Sequence, residues 1–391
     1  MFDIPPPKAS RRSDVDPFRA MDVMAAANRL IAEGKDVISL AVGQPSAPVP
    51  RVVADAVGAF LGRGRVGYTD ALGRAALRGR IARHYGQTYG VDVPAERVMV
   101  TTGSSAGFNL AFLTAFDVGD RVAISTPGYP AYRNILKALG IEPVEIPVGP
   151  ETDYVLTAEA LERAHRQTPL QGVLIASPAN PTGTVTPPEE LRKLVEFSDA
   201  AGLVFISDEI YHGLAFGRET ASALQFSDRA IVVNSFSKYY CMTGWRIGWL
   251  VLPPHLVRPA ERVGQSLYIS APELSQVGAE AVFEATEELE AVKLGYERSR
   301  SLLMEALPAL GFGDIAPIDG AFYAYASIPE AFSNSTDFAR HLLETALVAA
   351  TPGLDFDLER GHRTMRLSYA GDFGEIAEAV RRLRSVLERG A

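Results

Sequence analysis

Lys238 lies four residues beyond the apolar run AIVVN (230–234), inside the stretch SFSKYYCMTGWRIGW (235–249). Two hydroxyls, Ser235 and Ser237, stand just before the lysine, and the guanidinium of Arg246 follows in a glycine-bracketed turn. A lysine alone is most often a solvated surface residue. At the end of a buried strand its deprotonated amine is the natural partner of an aldehyde, giving a Schiff base. The hydroxyls and the guanidinium beside it are donors suited to phosphate. Other strand-like runs end in functional groups too. VMVTT (98–102) runs into Gly103-Ser104-Ser105, the opening of a helical pattern whose free N–H groups and dipole favour an anion. VLIAS (173–177) ends in Pro178-Ala179-Asn180-Pro181-Thr182-Gly183, and VFIS (204–207) in Asp208-Glu209-Ile210-Tyr211. Asp208 can hold a positive ring nitrogen, while Asn180 and Tyr211 can hydrogen-bond a phenolate oxygen. Ligands of an open parallel sheet bind beyond the carboxyl ends of its strands, so these strand ends point to one crevice. Phosphate, pyridinium, phenolate and aldehyde together describe pyridoxal 5′-phosphate, an electron sink for carbanion chemistry.

The elements that must position these groups alternate along the chain. Short, nearly continuous apolar runs occur at 97–103, 121–130, 142–148, 172–181, 203–211, 230–238 and 246–253, as expected of strands buried on both faces. Helical patterns such as 105–116 and 187–202 lie between most of them. That alternation predicts an α/β fold with a largely parallel central sheet. An amphipathic helix is expected over 16–34, a short strand over 36–43 and a second helix over 49–64. The last hundred residues change character: a long charged helical pattern (277–306), then GAFYAYASI (320–328), TMRLSYA (364–370) and a closing helix (374–390). The division expected is a large α/β domain over 48–290 and a smaller α+β domain made of 1–47 with 291–391.

Composition narrows the function classes. The 391 residues are 47% hydrophobic and 22% charged, as in ordinary globular proteins. A net charge of −9 argues against nucleic acid or an anionic membrane surface as partner. A single cysteine, Cys241, excludes an internal disulfide framework and suits a reducing cytoplasm. The start MFDIPPPKASRRSDVDPF has no apolar core of signal-peptide length, and no run elsewhere is long enough to span a bilayer. Cys241 and the six histidines show no metal-ligand spacing.

The chain resembles the class I/II aminotransferases of the aspartate aminotransferase fold, the fold type I pyridoxal-phosphate enzymes. The resemblance runs from ISLAVGQPS (38–46) to RLSYA (366–370) and rests on SPANPTG, SDEIY, SFSK with GWRIG, GYTDALG (67–73), TPGYPAY (126–132) and RLSYA, in the family's order. It implies that Lys238 forms the Schiff base and then shuttles a proton as general acid/base. Asp208 would pair with the pyridine nitrogen, and Asn180 and Tyr211 would bond the cofactor's 3′ oxygen. Ser104, Ser105, Ser235 and Arg246 would bind the phosphate, and Tyr129 would stack on the ring. Tyr68 would reach the phosphate across the interface of a homodimer. Arg366 would take the substrate α-carboxylate as a bidentate pair, and Gly43 would let the backbone approach the substrate closely.

The expected substrates are an amino acid and a 2-oxo acid. Dicarboxylate-specific members of the family need a second cation. Ser105 stands near the place where one subgroup has a lysine, and no arginine occurs between Arg262 and Arg298, where another supplies one from the partner subunit. Phe18, Tyr129, Tyr268 and Phe322 suit a neutral or aromatic side chain, whereas Arg133 keeps an acidic one open. Two rival readings use the same residues: a C–S β-lyase on this scaffold, and a regulator using the domain as a ligand sensor. The second lacks a basic helix-turn-helix ahead of the first strand.

Overall fold

The computed structural model describes residues 8–388. Its strands, in chain order, are β1 (Ile38–Ser39), β2 (Val98–Thr101), β3 (Arg121–Thr126), β4 (Glu142–Pro147), β5 (Gly172–Ala176), β6 (Val204–Asp208), β7 (Ile231–Ser235), β8 (Gly248–Val251), β9 (Tyr323–Ser327), β10 (Val348–Ala349), β11 (Thr351–Pro352) and β12 (Thr364–Ser368). β2 to β8 form a seven-stranded sheet in the order β2-β8-β7-β6-β5-β3-β4. Every pairing from β7 to β4 is parallel, and β8 alone runs against its two neighbours. The fold is therefore α/β with a mainly parallel central sheet flanked by helices.

Period-2 alternation sorts the strand residues onto two helical layers. Val98, Val100, Val173, Ile175, Phe205 and Val232 face one core, with Leu77 and Ile81 of helix Ala75–Tyr89 and Leu191, Leu194 and Val195 of helix Pro188–Ala201. Met99, Leu174, Ile206, Ile231 and Val233 face the other, with Phe108 and Phe112 of helix Gly103–Ala115 and Ala260 of helix Pro254–Tyr268. Each strand needs an apolar residue at every position to serve both layers, which is why the runs read as continuous.

A further core joins the two ends of the chain. β1 pairs in parallel with β10, and Ile38 and Leu40 pack among residues of the C-terminal hundred. β11, β12 and β9 form a small antiparallel sheet. Helix Arg19–Ala32 packs Ala27 against Ala41, Leu343 and Ala349. The single helix expected over 277–306 is instead two, Glu273–Ala281 and Thr286–Ala309, separated by a 3-10 turn at Val282–Glu284. The break turns Phe283 into the core, where its ring lies 5.5 Å from Phe236 and 5.3 Å from Tyr240. Tertiary burial overrides the helical pattern there. Among the described residues no helix is long and apolar enough to cross a membrane.

The topology brings the polar strand ends to one edge. After β4 the chain returns past β3 to form β5, so the sheet has a switch point between β3 and β5, where crevices open. β5, β6 and β7 run parallel, and β2 points the same way because two antiparallel pairings separate it from β7. The reversed β8 brings its start, Gly248, to the same edge, in register with Thr101 and Ser235.

Candidate active site

A cavity of about 240 Å³ opens at this edge. Gly43, Ser104, Ser105, Tyr129, Asn180, Asp208, Tyr211, Lys238, Arg246 and Arg366, all named from the sequence, line it. Two others do not. Ser235 is buried one step behind, its Oγ 2.9 Å from that of Ser237, which does line the cavity. Tyr68 is 82% exposed and is not among the residues that line the cavity.

Lys238 enters from the turn after β7, and its Nζ donates to the Gly43 carbonyl at 2.7 Å. Burial, with the charges of Arg366 and Arg246, lowers its pKa to about 8, although Asp208 pulls the other way. By the ionisation relation roughly a tenth of such a lysine is free amine near neutrality, against a vanishing fraction at the ordinary value. Asp208, at the end of β6, is 3% exposed. Its Oδ1 accepts from Ile210 N–H at 3.0 Å and its Oδ2 accepts from the Tyr132 hydroxyl. Burial pushes its pKa up to about 6 against those two bonds and the Lys238 charge, so a cation beside it would stabilise the ionised form.

At one end of the cavity, helix Gly103–Ala115 presents its free N–H groups with Ser104 and Ser105. Arg246 closes over it, and a Cβ on Gly103, whose φ is +74°, would stand 2.7 Å from the guanidinium. That approach needs glycine. At the other end Arg366, on β12, donates to Asn180 Oδ1 at 2.9 Å and to the Ala41 carbonyl. Its guanidinium lies 4.4 Å from the Tyr323 ring centroid and 4.7 Å from that of Phe356, so its plane is fixed before any ligand arrives. The Tyr211 hydroxyl is 2.7 Å from that of Tyr323.

Several lining residues escaped the sequence. Tyr132 is three residues beyond Tyr129, the N-cap of helix Pro130–Leu139, so i, i+3 spacing within TPGYPAY already placed both rings on one face. Tyr323 comes from the start of β9 and Asp355 and Phe356 from a 3-10 turn after β11, and none carries a local signal. Phe18 lines the cavity, whereas Phe322 packs behind Tyr211 with ring centroids 5.5 Å apart, and Tyr268 sits in the helical layer around Phe108. Arg133 is 3% exposed and paired with Asp16 at 3.6 Å and Glu145 at 3.5 Å, outside the cavity lining.

Gly43 has a local cause. A Cβ there would fall 1.7 Å from the Tyr323 hydroxyl, so the close approach is to that tyrosine. Gly43→Ala is expected to push Tyr323 off Tyr211 and destabilise the chain by about 1–3 kcal/mol, the scale of overpacking. A lowered denaturant midpoint checks this, and an unchanged midpoint would refute it.

Comparison with known proteins gives consistent matches. The family model for aminotransferase class I and II matches residues 35–383. The valine–pyruvate aminotransferase of Mycobacterium tuberculosis is 48% identical over 385 residues, covering 97% of this chain and 98% of that protein. The (5-formylfuran-3-yl)methyl phosphate transaminase of Methanocaldococcus jannaschii is 34% identical, covering 97% and 100%. A crystal structure of an aminotransferase from Mycobacterium tuberculosis superposes with a TM-score of 0.95 at 47% identity, covering 98% of this chain and 100% of that one.

Proposed function

The chain belongs to the class I and II aminotransferase family, with its fold type I architecture, and from that premise we propose that it moves the amino group of a neutral L-amino acid to a 2-oxo acid in a ping-pong cycle, using pyridoxal 5′-phosphate held in this cavity. One observation carries the reading. Lys238, Arg246 and Arg366 line a single cavity, and among the described residues they bond neutral oxygens: those of Gly43, Thr243, Ala41 and Asn180. Three cations that form no salt bridge among the described residues, with only the carboxylates of Asp208 and Asp355 beside them in the lining, suit a ligand that brings anions to both ends of the cavity.

The residues fit that cofactor. Ser104, Ser105, Ser237, Arg246 and the helix N-terminus would hold its phosphate, with Ser235 supporting Ser237 from behind. Asp208 would face the ring nitrogen, Asn180 and Tyr211 the 3′ oxygen, Tyr129 the ring face, and Lys238 the aldehyde carbon. When bound, the cofactor supplies an electron sink for the carbon that loses its proton. Lys238 Nζ would take that proton from the donor Cα. Its lowered pKa keeps enough free base for the task. Arg366, already oriented, fixes the donor's α-carboxylate.

The apolar wall of Phe18, Ala20, Met21 and Phe356 favours a neutral or aromatic donor over aspartate. The relative named for valine and pyruvate supports the same choice. We read the molecule as a cytoplasmic homodimer in which the exposed Tyr68 serves the site of the second copy. The pairing of β1 with β10 supports grouping residues 1–47 with 291–391 as the smaller domain.

The test is the visible absorption spectrum of the pyridoxal-phosphate-loaded protein, recorded with each member of an amino-acid panel and no acceptor. A visible band that moves to the near ultraviolet with neutral donors is expected. A band that never converts, or ammonia released on turnover, would refute the transaminase reading.

A further inference from the structure

Asp355 is the one carboxylate lining the cavity, among the described residues, that the proposed reaction does not use. It is 2% exposed. It accepts from two backbone N–H groups more than three hundred residues away: Oδ1 from Arg19 at 2.8 Å and Oδ2 from Ala20 at 3.2 Å. These belong to the first turn of helix Arg19–Ala32, whose own N-cap residue, Phe18, makes no side-chain cap. Asp355 thus caps that helix from across the chain and holds Phe18, Ala20 and Met21 as a wall of the cavity. Its neighbour Phe356 packs on Arg366 of β12, so the capping carboxylate is one residue from a ring that flanks the arginine assigned to the α-carboxylate.

We propose that Asp355 is a specificity-determining residue that excludes amino acids with an anionic side chain. The proposal rests on the transaminase reading. The charges lining the cavity argue for it. Arg246 and Arg366 are matched by a phosphate and an α-carboxylate, and Lys238 by the cofactor, which leaves no lining cation for a second carboxylate. A donor's anionic side chain would lie against the wall that Asp355 holds and meet its carboxylate, whose ionised form burial disfavours and the two N–H bonds with the charges of Arg366 and Arg19 favour. Like charges brought together in a site with little water repel strongly. A neutral side chain of the same size meets only apolar wall.

L-Glutamine and L-glutamate differ in charge and hardly in size, so the ratio of their kcat/KM values isolates the effect. The holoenzyme, with pyruvate as acceptor, is expected to favour glutamine. In Asp355→Asn, whose single amide oxygen can still accept from one of the two first-turn N–H groups, the ratio should narrow about tenfold, equal to ~1.4 kcal/mol, through a lower KM for glutamate. Asp355→Glu keeps the charge and should not narrow it. Asp355→Ser, neutral and able to cap, is the second variant in case the first folds poorly. Loosening of the helix alone would weaken both donors together and leave the ratio unchanged. An unchanged ratio in both neutral variants, with wild-type turnover of valine intact, overturns the role of Asp355 and leaves the transaminase reading standing. Absence of any amino-donor turnover in the wild type overturns that reading, and this one with it.

Discussion

Lys238→Ala is expected to fold, to bind pyridoxal phosphate without the visible band of the wild type, and to lose transamination by about 10⁴-fold, the upper range for removal of a general acid/base. The loss should exceed that of any other single change, because the same nitrogen both holds the aldehyde and carries the proton. Folding should not suffer. The buried lysine has its pKa lowered to about 8, so between that pH and its ordinary 10.5 the unfolded chain binds the extra proton and stability rises with pH. Near neutrality the native state therefore carries a cost for this charge, which alanine removes. The apo variant is expected to melt at or above the wild-type temperature. The same shift sets how the wild type takes up the cofactor. Only the free amine attacks an aldehyde, so the loading rate, followed by absorbance, should climb about tenfold per pH unit below pH 8 and level off above it. A variant that keeps the visible band, or turns over within tenfold of wild type, would remove Lys238 from the chemistry.

The sequence carried these groups because each stands at the end of an apolar run. Strand identity follows from the run, and the crevice follows from the rule that parallel sheets open at their carboxyl ends. Arg246 shows where that logic is incomplete. It precedes β8, which is antiparallel, and only the reversal of that strand brings its start to the same edge. Its closeness to Lys238 in the sequence singled the residue out, but its position in space depends on pairing that a local reading does not contain. Ser235 and Ser237 show a finer limit. Both are hydroxyls two residues apart, and the turn after β7 aims the later one into the cavity while the earlier one bonds to it from behind. Tyr323 and Asp355 were out of reach for another reason. Their sites exist only once the small antiparallel sheet has folded back on the N-terminal segment, and contacts between residues so far apart in the chain leave no periodic trace. The helix break at Val282–Glu284 has the same origin, since Phe283 goes where the core needs a ring.

Asp208→Asn tests the other half of the chemistry, with an expected fall in kcat of about 10³-fold, within the range for loss of a preorganised charge at the reacting system. The substitution keeps shape and removes charge. In the wild type, burial pushes Asp208 up to about 6, so the carboxylate is the majority form at neutral pH and ionises further when a cation lies beside it. An amide cannot hold a proton on a facing ring nitrogen, so electrons leaving the donor Cα lose their sink and the proton on its way to Lys238 is harder to remove. Tyr132→Phe should fall between. It leaves the carboxylate in place but deletes the hydroxyl that donates to Oδ2, which raises the Asp208 pKa further and moves the acid limb of the rate profile toward neutrality. The sign is fixed by the charged form being the active one: stabilising it less means activity is lost at higher pH as acid is added. Single-turnover conversion of the visible band with a neutral donor, measured across pH, separates the two variants. Asp208→Asn should be slow at every pH, and Tyr132→Phe slow mainly below neutrality. Conversion in Asp208→Asn within threefold of wild type would mean the buried carboxylate is a structural cap of Ile210 rather than part of the reaction.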